Sequence, residues 1–193
     1  MKKEVRCYGG EEIVEVRKDN ETDTRKVSGY ALVFNRLSVD LGGFKEKIEP
    51  TALEGVIATS DVLCWLNHDE RRGLLARSNK GVGSLTLEID KKGLKYTFDA
   101  PNTALGDELL EGIKRGDISQ SSFAFTVKEE EWEKKNDGSY IRTIKKIERL
   151  FDVSPVYTPA YNDTSVALRS IEMYDTKTQV NKEYYNHLYS EIR

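Results

Sequence analysis

The 193-residue chain is short of two residue types that often carry chemistry, with two cysteines and two histidines. Cys7 and Cys64 stand far apart, and neither belongs to a CxxC or Cys/His cluster, which excludes a structural zinc site. Cys64 lies inside the apolar run VLCWL and reads as a small core residue; a reducing, cytoplasmic setting fits. Long apolar runs are missing too, the longest being Tyr30 to Phe34 and Val62 to Leu66. A membrane span needs about 20 such residues, so transmembrane readings are excluded. The opening text MKKEVRCYGGEEIVEV has no apolar core behind its lysines, and no secretory signal is expected. A basic surplus is absent as well. Lys plus Arg is 30 against 33 for Asp plus Glu, mixed along the chain, and the net charge of −3 argues against a dedicated nucleic-acid binder.

What is present is length enough to bury a core without disulfide or metal staples. Residues 1–26 read as a charged arm with a short strand at IVEV. Val27 to Phe34 reads as a strand, and Phe44 to Ile48 as a short edge strand. Thr51 and Glu54 have capping-box spacing and predict a helix running to about Ala58. Asp61 to Asn67 reads as a buried strand. Leu85, Leu87 and Ile89 share one face, and Leu94, Tyr96 and Phe98 repeat the pattern beyond the Asp90–Gly93 turn, which predicts a hairpin. Pro101-Asn-Thr-Ala opens a second helix carrying Leu105, Leu109 and Ile113, with Gly116 as its stop.

Ile118 to Glu133 and Tyr140 to Leu150 read as paired strands joined by a two-residue turn at Asp137-Gly138. Asp152 to Tyr161 reads as an extended segment. In residues 171–193, Val180, Tyr184 and Leu188 recur every four residues, which suggests a terminal helix on a polar tail. No βαβ alternation appears. The expected architecture is mainly β, an antiparallel β-barrel of about seven strands with flanking helices over residues 27–170.

Three elements carry chemistry. His68 ends a buried strand in WLNHDE, where an ordinary surface histidine is the plain alternative to a base. Gly116 to Phe125 (GDISQSSFAF) crowds three serines where a helix passes into a strand, and Ser119 reads as a cap or turn former. By alternation, either Ser121 or Ser122 faces inward, where it needs a hydrogen-bond partner such as an imidazole. Asp152 and Glu148 are carboxylates in an apolar setting, and holding a histidine tautomer is a reason to bury one.

Five blocks in one order resemble the tailed-phage prohead (procapsid) serine proteases, relatives of the herpesvirus assemblins. They are GYALVFN (29–35), FKEKIEPTA (44–52), VLCWLNHD (62–69), RGDISQSSFAF (115–125) and LFDVSPVYTPAY (150–161). The resemblance implies His68 as base, Ser122 before the Phe-x-Phe strand as nucleophile and Asp152 as the third member, with Glu148 in reserve. Ser121 stands where many relatives carry another small or apolar residue. His187 falls past the five blocks. Arg115 and the Gly81-Val-Gly83 turn are candidates for meeting the oxyanion, the turn having an ordinary structural reading beside it.

The resemblance further implies an endopeptidase of capsid maturation, working inside the procapsid in the bacterial cytoplasm. It would cleave scaffold protein, the scaffold-like segment of the major capsid protein, and itself. No metal or organic cofactor, no nucleic acid and no membrane enters, and a homo-oligomer is compatible with it. The rival from another class is a non-enzymatic scaffolding or binding barrel. A small-ester hydrolase is weaker, because no GxSxG elbow is present.

Overall fold

The computed structural model describes residues 3–7, 14–16, 25–157, 179 and 183. Its longest elements are two neighbouring strands, β10 (Gln120–Lys134) and β11 (Tyr140–Val156), which form one antiparallel ribbon. Around them a seven-stranded sheet runs in the order β1-β10-β11-β5-β6-β7, with β1 at Glu4–Cys7, β5 at Asp61–Cys64, β6 at Ala76–Asn79 and β7 at Val82–Gly83. A further strand of this sheet, β4 (Phe44–Ile48), pairs with the early part of β11. The second sheet has four strands in the order β2-β3-β9-β8, from Val14–Val16, Lys26–Val33, Gly93–Asp99 and Thr86–Ile89.

Two expectations about this architecture need correction. No closed barrel forms among the described residues: the two sheets are open, and β3 packs against β10 without a ladder joining them. Nor is the pairing wholly antiparallel, since β4 and β5 both run parallel to β11. The reason lies in β11, which is long enough to pair with β10 along its whole length and still offer its other edge to two short strands in turn.

Local sequence explains most of the elements. Along β9, Leu94, Tyr96 and Phe98 alternate into the core while Lys95 and Thr97 are half-buried and Asp99 is exposed. The preceding turn is held by Asp90, whose carboxylate accepts from the amides of Lys92 and Gly93. At β8 the expected apolar face fades outward, for Leu85 just before the strand is buried but Ile89 at its end is exposed, β8 being the edge of its sheet. Helix α2 (Ala104–Arg115) starts at Thr103, whose hydroxyl accepts from the Gly106 amide, and stops at Gly116 with φ +82°.

The capping box at Thr51 does not form. Pro50–Leu53 makes a 3-10 turn, Gly55 breaks the chain direction at φ +75°, and only then does the short helix α1 (Val56–Thr59) begin. The β10–β11 connection is also longer than a two-residue turn. Residues 135–139 form it, closed by the Lys135 amide on the Ser139 carbonyl, and Asp137 accepts from the Ser139 amide. β11 continues through Asp152–Val156, so the first half of the segment read as merely extended belongs to the sheet. The proposed helix over Val180, Tyr184 and Leu188 lies outside the described residues.

The core fills the space between the sheets with Leu32, Leu53, Leu66, Tyr96, Leu109, Phe123, Phe125 and Leu150, all essentially inaccessible to solvent. Cys64 joins them, buried and without a disulfide, and burial pushes its thiol pKa well up.

Candidate active site

Strand register decides which of the two serines faces the core. Directly opposed residues of an antiparallel pair share a face, and the opposed pairs here are Ser121↔Pro155, Ser122↔Ser154, Phe123↔Val153 and Ala124↔Asp152. Ser121 therefore lies on the side of Phe123, in the core, where its Oγ is 2.7 Å from the hydroxyl of Tyr96. Ser122 lies on the other side, with Ala124, Ser154 and Asp152. Both serines are buried, but into different neighbourhoods.

Asp152 is fully buried, and its surroundings supply reasons for a carboxylate there. Its Oδ1 accepts from Ser154 Oγ at 3.0 Å and lies 2.6 Å from His68 Nδ1. Lys3 Nζ stands 3.4 Å from the second oxygen. His68 reaches this position through an unusual backbone. Asn67 and His68 both take left-handed conformations, at φ +56° and +58°, which cost about 1–2 kcal/mol each in ordinary residues. The turn is pinned where the Asn67 amide donates to the Pro155 carbonyl and the Asp69 amide to the Leu66 carbonyl. Asn67 thus ties the histidine loop to the same stretch of β11 that carries Asp152.

Neither ring nitrogen makes a well-directed hydrogen bond: Nδ1 stands close to Asp152 Oδ1 without the angle of one. His68 Nε2 is buried without a hydrogen-bond partner. Ser122 Oγ donates instead to the main-chain carbonyl of Arg6, at 2.9 Å. Beside the pair lies a cleft of about 530 Å³ lined by His68, Asp152, Trp65, Asn67, Lys3 and Val5, among others. Ser122 is not in its lining; β1 runs beside it along the edge of β10, with Cys7 opposite.

Residues 12–179 match the caudovirus prohead serine proteases. The chain belongs to this family. It is a serine protease, and the non-enzymatic alternative falls away. The structure of the bacteriophage T4 capsid assembly protease, gp21, is similar at 15% identity and a TM-score of 0.45, covering 81% of this chain and 98% of that one. No curated protein matches the chain.

Against the family's chemistry, the other residues singled out in the sequence sort themselves. Glu148, the reserve acid, is exposed. Arg115 is at the end of α2, its guanidinium on Asp117, and does not line the cleft. Gly81 to Gly83 do not line it either, and Gly83 has a packing role: a Cβ there would sit 2.1 Å from the Arg77 carbonyl oxygen. His187 lies outside the described residues.

Sequence reasoning did not anticipate the arm's part in the site. β1 pairs with β10 from Glu4↔Phe125 to Cys7↔Ser122. Its two charged side chains enter a buried network with β4 and β11: Arg6 Nε donates to Glu46 at 3.0 Å, and Arg142 bonds Glu4, Glu46 and Glu130. Burial pushes the Glu4 carboxyl up, but the hydrogen bond and charge of Arg142, with Arg6, outweigh it and hold it below its ordinary value. Glu46 and Arg142 face each other in the β4–β11 register. The alternation of FKEKI signalled that one charge would point inward; nothing local signalled its partners.

Proposed function

We propose that this protease matures capsids by acyl transfer, with Ser122 as nucleophile, His68 as general base and acid, and Asp152 as the group that orients the imidazole. Its substrates are scaffold protein or the scaffold-like segment of the major capsid protein, and the protease itself, inside the procapsid. The observation that carries the reading is the contact of 2.6 Å between His68 Nδ1 and a fully buried Asp152 on the sheet face that also bears Ser122.

The division of labour follows from the contacts. Asp152 holds the Nδ1 side of the ring, so the proton of neutral His68 sits there and Nε2 keeps its lone pair for the serine proton. Ser154 keeps the carboxylate in place by occupying a lone pair on the same oxygen. When Ser122 Oγ attacks a peptide carbonyl carbon, its proton passes to Nε2; the imidazolium then gives a proton to the departing amine. Water completes the cycle by the same route, regenerating the free serine.

The test is co-expression with the capsid and scaffold proteins of the same phage, read as intact masses. The wild-type chain is expected to trim them, while Ser122→Ala and His68→Ala leave every chain whole. Asp152→Asn is expected to slow cutting by about 10⁴-fold, as loss of the correct tautomer does in other triads. Full cutting by folded Ser122→Ala would remove Ser122 from the role.

A further inference from the structure

The strand beside Ser122 is peripheral to the fold but central to the site. Among the described residues β1 pairs with β10 alone, at the outer edge of the larger sheet, over four residues. An exposed strand edge is where an extended peptide adds to a sheet. β1 lies there antiparallel and in register with the residue proposed to do the chemistry, Cys7 opposite Ser122.

Its contacts are those of an occupant that blocks. The Arg6 carbonyl takes the hydrogen of Ser122 Oγ, and His68 Nε2 is left without a partner. A hydroxyl donating to a carbonyl oxygen is spending on it the proton that the base should receive, and its lone pairs are not directed at the carbonyl carbon. Lys3, just before the strand, sets its ammonium 3.4 Å from Asp152. That places a competing cation at the carboxylate meant to stabilise imidazolium.

We propose that Glu4–Cys7 is an intramolecular stand-in for substrate: it fills the β10 edge that receives an extended peptide, and it keeps the Ser122 hydroxyl from His68 until displaced. This rests on the reading of Ser122 as nucleophile. The stand-in also describes its replacement. Side chains alternate along a strand, so Glu4 and Arg6 point together into the Arg142–Glu46 network, while Val5 lines the cleft. When β1 leaves, Glu46 loses the guanidinium of Arg6, and Arg142 loses the carboxylate of Glu4. The ligand that satisfies both is an extended peptide with an acid and a base two residues apart and an aliphatic residue between them.

The experiment uses the full chain, a fluorophosphonate probe and mass mapping of the labelled serine. Arg6→Glu sets an acid against buried Glu46 and is expected to release β1. Hydrogen exchange should then show loss of protection at those β10 amides among residues 122–125 that face β1, with the alternate amides, bonded to β11, and Leu94–Phe98 still protected. Ser122 should label at least about tenfold faster than in the wild type, the blocked form outnumbering the open one by that ratio. A synthetic peptide of residues 2–9 should slow labelling of the variant again, and a scrambled one should not. In a second variant, Val5→Cys with Ala124→Cys, the opposed positions are cross-linked by oxidation; labelling should stop, and return on reduction. Equal labelling of Ser122 in released, locked and wild-type forms overturns the block while leaving the nucleophile intact. Absence of Ser122 labelling in every form overturns the nucleophile, and the block with it.

Discussion

Replacing Ser121 by alanine separates a structural serine from the proposed nucleophile at the adjacent position. Ser121 Oγ and the Tyr96 hydroxyl are 2.7 Å apart, and both residues are essentially inaccessible to solvent. Burial pushes the Tyr96 phenol far above its ordinary pKa, so it stays neutral and needs a neutral partner. Ser121→Ala strands that hydroxyl in an apolar core, at a cost of about 1–3 kcal/mol. For a domain of this size each kcal/mol lowers the melting temperature by roughly 2–4 °C, so a fall of about 4–8 °C is expected near the middle of the range. Adding Tyr96→Phe removes the stranded group, and the double variant should recover part of the loss, with a coupling of about 1–2 kcal/mol. Calorimetry gives the melting temperatures, and fluorophosphonate labelling gives the state of the nucleophile. Labelling at Ser122 should survive in Ser121→Ala, in Tyr96→Phe alone and in the double variant. The reasoning is refuted if Ser121→Ala melts like the wild type but no longer labels.

Two further outcomes are expected. The Glu4 carboxyl is held below its ordinary value of 4.5, so its stabilisation is complete above that pH and is lost as pH falls through the lower folded value. Melting curves of the wild type should therefore decline more steeply below pH 4.5 than those of Glu4→Gln, and parallel curves would show the Arg142 contact to be without effect. Gly83→Ala drives a Cβ against the Arg77 carbonyl at φ +147°, and should cost about 2 kcal/mol or more in a denaturant titration while leaving His68 and Asp152 in place.

The sequence made some of this visible and hid the rest for identifiable reasons. β4 matches its expected bounds because FKEKI alternates cleanly, and α2 was marked at both ends by Thr103 and Gly116. His68 and Asp152 stand out in the sequence as candidates for a base and a buried acid, and the structure sets them 2.6 Å apart. Periodicity could not tell Ser121 from Ser122, because the choice depends on register against β11. The resemblance favoured Ser122, the serine on the face of Asp152. The expected barrel does not close among the described residues; alternation reports which face of a strand is buried and says nothing about which edges pair. The parallel pairing of β4 and β5 with β11 depends likewise on contacts distant in sequence. The arm's role was invisible because Glu4 and Arg6 look like solvated charges until Glu46 and Arg142 are placed beside them.

The ribbon of β10 and β11 bears Ser122 and Asp152 on its two arms, with four register irregularities between Ala124 and Glu130. That layout divides the ribbon into a half that tolerates changes of length and a half that does not. Residues gained or lost in the distal loop at 135–139 lengthen or shorten an exposed tip, and leave Ala124 opposite Asp152. A single residue deleted between Ser122 and the first irregularity would slide the strand by one place and turn its other face toward His68. Variation in length among related chains should therefore collect at the tip, where the ribbon can serve as a graft point for a tag or a second domain.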